Sequence, residues 1–115
     1  MINFANPKSE YLENKKKIDL AIKKTLVSND YILGKSVKKF EQRFAKYNKC
    51  KYSLGVSSGT EALIIALKSL DVKPGDEIIT TSHTAYATVA AISEIGAKPV
   101  LIDIENNSFN MSCDE

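Results

Sequence analysis

The chain has 115 residues, 43% hydrophobic and 26% charged, a balance that suits one globular domain with a single core. Its 16 basic and 14 acidic residues leave a net charge of +2, too mild to indicate nucleic acid as the main partner. The longest apolar run, residues 62–67, falls far short of the roughly 20 residues that span a bilayer.

Residues 1–7 show no basic start followed by an apolar run, so no signal peptide is expected. From residue 9 to 28 the spacing predicts a helix, with Leu12, Ile18, Ala21, Ile22, Thr25 and Leu26 on one face. Lys15, Lys16, Lys17, Lys23 and Lys24 fall on the other side. They read either as a solvated face or as a basic patch for a phosphate-bearing partner. Ser28-Asn29-Asp30 breaks this helix, and Gly34 marks a second break. A shorter helix is predicted over residues 36–48, where Val37, Phe40, Phe44 and Tyr47 make one stripe, read as core rather than as a binding surface.

The pattern changes at Lys51. Strands are predicted at 52–56, 77–81 and 99–104, and helices at 60–70 and 84–95. Lys73-Pro74-Gly75-Asp76 is a turn in which proline presets the bend and glycine tolerates positive φ. Gly96 is a C-terminal helix cap. Strand and helix alternate here as in an α/β layer of mostly parallel strands flanked by helices. The helix at 60–70 is apolar nearly all round and is expected to be buried under other elements. Residues 106–115 read as a polar loop. Three strands make an incomplete sheet if both faces are to be covered, so these residues are expected to be the front part of a longer protein.

Chemistry concentrates in two segments. In Val56-Ser57-Ser58-Gly59-Thr60-Glu61-Ala62-Leu63, Ser58 can cap the following helix, with Glu61 three residues on as in a capping box. Gly59 allows close backbone approach, and free N–H groups with the helix dipole favour an anion. With the hydroxyls of Ser58 and Thr60, the fitting occupant is a phosphate; a capped helix start without a ligand is the other reading. The segment is neither a GxGxxG fingerprint nor a Walker A loop. The second segment, Thr81-Ser82-His83-Thr84-Ala85-Tyr86-Ala87-Thr88, follows a strand's C-terminal end, where ligands gather in open α/β sheets. His83 and Tyr86 can each offer a flat ring to a flat cofactor, and His83 reads equally as a loop side chain bonded to the backbone. Cys50 and Cys113 sit in no ligand cluster and read as thiols in a reducing compartment, hence a cytoplasmic protein; with His83 the only histidine, no zinc site is expected.

Taken in order, several stretches resemble the DegT/DnrJ/EryC1/StrS aminotransferases, which act on nucleotide-linked keto sugars. They are Tyr31-Ile32-Leu33-Gly34 with Val37, Phe40-Glu41 and Phe44-Ala45; then residues 57–63; then Pro74-Gly75-Asp76-Glu77-Ile78-Ile79; and finally Gly96-Ala97-Lys98-Pro99-Val100 with Asp103-Ile104. The resemblance implies an aspartate aminotransferase type fold. Residues 1–50 would be an N-terminal helical segment, and residues 51–115 the start of the large domain that binds pyridoxal 5′-phosphate (PLP). It implies that Gly59 and Thr60 hold the PLP phosphate beside Ser58, and that Tyr31 and Gly34 lie near the substrate entrance. It implies glutamate as amino donor and a homodimer with active sites at the subunit interface.

Where many members stack an aromatic residue on the PLP ring, this chain has Ala85, so His83 and then Tyr86 are the candidates for that contact. The Schiff-base lysine and the aspartate for the pyridine nitrogen are expected downstream of Glu115, and carboxylates such as Asp103 are read as structural. Two other readings stay open: a dehydratase-like relative in which histidine replaces that lysine, and a non-catalytic binding module of the same fold.

Overall fold

The computed structural model describes residues 4–115; residues 1–3, part of the stretch read for a leader, lie outside the described residues. The chain divides between Gly55 and Val56 into two compact units.

The first unit carries two helices. Helix α1, Pro7–Val27, starts with proline in its first turn, where the missing N–H costs nothing, and has Glu10 and Lys24 placed to suit the helix dipole. Helix α2, Lys35–Tyr47, begins at Gly34, and the Asp30 carboxylate accepts from the Lys35 N–H at 2.9 Å. Both helices stop at residues in the left-handed region, Asn29 (φ 54°) and Lys49 (φ 55°). The residue after Lys49, Cys50, closes the end of α2 by donating its N–H to the Ala45 carbonyl at 2.9 Å.

The second unit holds helix α3 (Gly59–Ser69), strand β1 (Glu77–Thr81), helix α4 (Tyr86–Glu94) and strand β2 (Lys98–Ile102). β1 and β2 pair in parallel from Glu77↔Lys98 to Thr81↔Ile102. The turn and the helix cap read from sequence both form, with Gly75 at φ 93° and Gly96 at φ 79°. They also dock on each other. The Gly75 N–H donates to the Gly96 carbonyl at 2.8 Å, and the Lys98 N–H donates to the Asp76 carbonyl at 2.7 Å. This clasp sets the register at the start of both strands. Ala91, Ile92, Ala97 and Thr80 form the buried centre.

Four expectations need correction. Residues 52–56 are extended but join no ladder; a strand exists only through a neighbour, and here the Gly55 N–H is satisfied by the Glu41 carboxylate at 2.8 Å. The last strand ends at Ile102, because Asp103 and Ile104 turn back: the Ser112 N–H donates to the Asp103 carbonyl at 3.1 Å and Ile104 bridges Met111 antiparallel. The polar tail is a loop, as read from the sequence, and it is closed by these two contacts. Helix α3 is not buried; it packs on α4, and no other element of its unit covers the remaining sides among the described residues. The stripe on α2 is not core either. Phe40 and Phe44 stack on each other with ring centroids 5.5 Å apart, yet both rings stay largely exposed, and Ala45 is the buried residue of that helix.

Candidate functional site

The start of α3 is built by Ser58, whose extended backbone (φ −158°, ψ 167°) lets its Oγ accept from the Glu61 N–H at 3.1 Å. The reciprocal bond from the Glu61 carboxylate is not made among the described residues. The Ala62 N–H is taken by the Ser58 carbonyl at 3.0 Å, which leaves the N–H groups of Gly59 and Thr60 without an intrachain partner among the described residues. A Cβ placed on Gly59 would meet nothing within 4 Å, and its φ lies outside the left-handed region. Neither backbone conformation nor packing within the described chain requires glycine there. Open space beside two free donors at a helix N-terminus fits a phosphate, and it is the feature a side chain would fill.

The second segment leaves β1 with the Ser82 N–H bonded to the Ile102 carbonyl at 3.1 Å, which ties it to the end of β2. Ser82, His83, Thr84 and Ala85 then line an open concavity of about 430 Å³. The Thr81 hydroxyl donates to the His83 carbonyl at 3.3 Å, so it is the backbone of His83 that is held while its ring stays exposed. Ala85 is the extended residue before α4, and Tyr86, the first residue of that helix, is 85% exposed. Thr84 and Thr88 share a hydroxyl–hydroxyl hydrogen bond of 3.0 Å across the helix start.

The sequence reading missed Phe109. Its ring lies 6.5 Å from the His83 imidazole, tilted by 39°. The only sequence signal was a single aromatic residue inside an asparagine- and serine-rich turn. In the first unit, Tyr31 donates its hydroxyl to the Leu26 carbonyl, and Gly34 is buried against Asp30, whose carbonyl oxygen would stand 2.7 Å from any added Cβ. Asp103 uses its carboxylate on the Ile104 N–H at 2.8 Å. Cys50 and Cys113 are free and exposed, and no helix among the described residues is long and apolar enough to cross a membrane.

Residues 12–115 match the DegT/DnrJ/EryC1/StrS aminotransferase family. The chain belongs to this family. It is 41% identical, over 91% of its length, to the dTDP-3-amino-3,4,6-trideoxy-alpha-D-glucose transaminase of Micromonospora megalomicea, and spans 28% of that protein. Its fold superposes with a TM-score of 0.92 and 37% identity on the S. venezuelae DesV crystal structure with a ketimine intermediate, covering 96% of this chain and 30% of that one. A GDP-4-keto-6-deoxymannose-3-dehydratase holding a trapped PLP–glutamate adduct is similar at a TM-score of 0.76 and 31% identity, over 82% of this chain and 26% of that one. This family member therefore spans about 30% of the length of the solved DesV relative. Its two-stranded parallel sheet with flanking helices matches the large-domain α/β architecture expected from its sequence.

Proposed function

We propose that these residues serve in PLP-dependent transfer of an amino group, from glutamate, to the keto group of a nucleotide-linked sugar. The observation that carries this reading is the α3 start, where Gly59 and Thr60 offer free N–H donors beside open space within a family-matched segment. PLP, when bound, supplies the electron sink that carries the amino group between donor and acceptor.

Gly59 and Thr60 would hold the phosphate through backbone N–H groups and the Thr60 hydroxyl, while Ser58 keeps the helix end in shape by capping it. His83 would offer one face of its imidazole to the cofactor ring, with Tyr86 the second candidate. Tyr31 and Gly34 are assigned to the substrate side. The lysine and aspartate that complete such a site are sought beyond Glu115, in a homodimer. Free exposed thiols at Cys50 and Cys113 suit the cytoplasm.

The test compares PLP with pyridoxal lacking the phosphate in equilibrium titrations of the full protein. Loss of the phosphate is expected to weaken binding about tenfold or more, the scale of charge-assisted hydrogen bonds, and Thr60→Val should narrow that gap. Equal affinity for both compounds overturns the phosphate anchor. Release of 2-oxoglutarate from glutamate in the presence of a nucleotide-linked keto sugar tests the reaction itself. The likeness to a dehydratase supports a second reading, sugar deoxygenation, which the appearance of a deoxygenated sugar without stable amination would select.

A further inference from the structure

Phe109 stands at φ 57°, a left-handed conformation that bulky side chains rarely adopt. Asparagine, which tolerates that region far better, flanks it at Asn107 and Asn110. The turn itself is closed firmly. The Glu105 N–H donates to the Asn110 carbonyl at 2.9 Å, and the Phe109 N–H donates to the Glu105 carbonyl at 3.0 Å. The Ser108 hydroxyl donates to the Glu105 carboxylate at 2.7 Å, and the Asn110 N–H donates back to the Ser108 hydroxyl at 3.2 Å. Turn formation alone would be served better by asparagine or glycine at position 109. What phenylalanine adds is its ring, aimed at the imidazole of His83 with centroids 6.5 Å apart and a 39° tilt. That separation lies within the range of about 4.5–7 Å over which aromatic rings attract each other. The two partners approach from adjacent strand ends, because the Ser82–Ile102 hydrogen bond joins the segment entering His83 to the strand that leads into the turn.

We propose that Phe109 is a positioning residue for His83: it holds the imidazole beside the concavity lined by residues 82–85, so that one ring face is presented to a flat aromatic ligand. This rests on the assignment of His83 to the PLP ring. Without the phenyl ring, His83 would sample its rotamers freely, because among the described residues only its backbone carbonyl is otherwise held by a hydrogen bond. Phe109 acts through His83 and is not itself assigned a contact with the cofactor.

The test is a double-mutant cycle in the full protein, with PLP affinity and the NMR signals of the His83 ring as two separate readouts. Phe109→Leu keeps apolar bulk but removes the ring. It is expected to shift the His83 ring protons and to weaken PLP binding about two- to tenfold, the range of an aromatic pair. In a His83→Ala background the same substitution should change PLP affinity no further. Phe109→Gly, which suits the positive φ, should reproduce both effects with the turn intact, and so guards against a folding defect in the leucine variant. Unchanged His83 signals, or losses of affinity that multiply as independent effects, would overturn the proposal. If the unsubstituted protein binds no PLP, the functional assignment fails, and the His83 signals still decide whether the pairing exists.

Discussion

Helices α2 and α4 both carry apolar side chains at helical spacing, yet their fates differ. On α2, Phe40 and Phe44 stack on each other and still remain 58% and 48% exposed. On α4, Ala91 and Ile92 are 0% and 3% exposed, because α4 touches α3, β1 and β2 at once. The larger apolar surface is thus the less buried one. An amphipathic stripe becomes core only where a second layer lies against it, and among the described residues the second unit supplies that layer while the first does not. The same contrast holds for chain stops. In the first unit Asn29 and Lys49 end helices by local geometry alone, whereas Gly96 in the second ends α4 and also receives the Pro74 turn.

The largest expected effect tests that burial directly. Ile92→Ala should destabilise the second unit by about 2–5 kcal/mol, as removal of a buried branched side chain does, whereas Phe44→Ala should cost far less despite removing more atoms. Urea unfolding of both variants checks this, and equal losses would erase the distinction between the helices.

Next comes the clasp between turn and cap. A Cβ on Gly96 would meet the Pro74 Cβ at 3.0 Å at a φ of 79°, while one on Gly75, at φ 93°, would meet nothing within 4 Å. Both alanine substitutions incur the left-handed penalty of about 1–2 kcal/mol. Gly96→Ala should therefore be the more damaging, because it adds a steric clash to that penalty. Thermal melts of the two variants, side by side, separate conformational cost from crowding.

The smallest effect belongs to α1. Lys15 and Tyr11 both donate to the Asp19 carboxylate; the Lys15 bond first, then that of Tyr11, holds the aspartate below its ordinary value of 3.8. The Asp19 bond, followed by that to Tyr11, raises Lys15 above its ordinary value. The sign follows for each group. Asp19's contribution is complete above its ordinary value and fades as pH falls through the lowered one. Lys15's is complete below its ordinary value and fades as pH rises through the raised one. Both groups are exposed, so salt should weaken the contribution. Helicity followed by circular dichroism into the acid range should fall less steeply in Asp19→Asn than in the unsubstituted chain, most visibly at low salt.

What was legible in the sequence is what neighbouring residues settle among themselves. All four helices, the β1 span, the Ser58 cap, the positive φ at Gly75 and Gly96, and the family resemblance of residues 57–63 follow from local side-chain and backbone preferences. What only the tertiary structure decided depends on distant partners. Residues 52–56 have strand-forming side chains but no neighbour to pair with, and α3 has an apolar surface with one helix against it. His83 is separated from Phe109 by the whole of α4 and β2, so no spacing rule connects them; the parallel pairing of β1 and β2 brings their ends together and, with them, the two rings. Local chemistry sets which elements can form, and the partners available across the fold set which surfaces are buried and which rings meet.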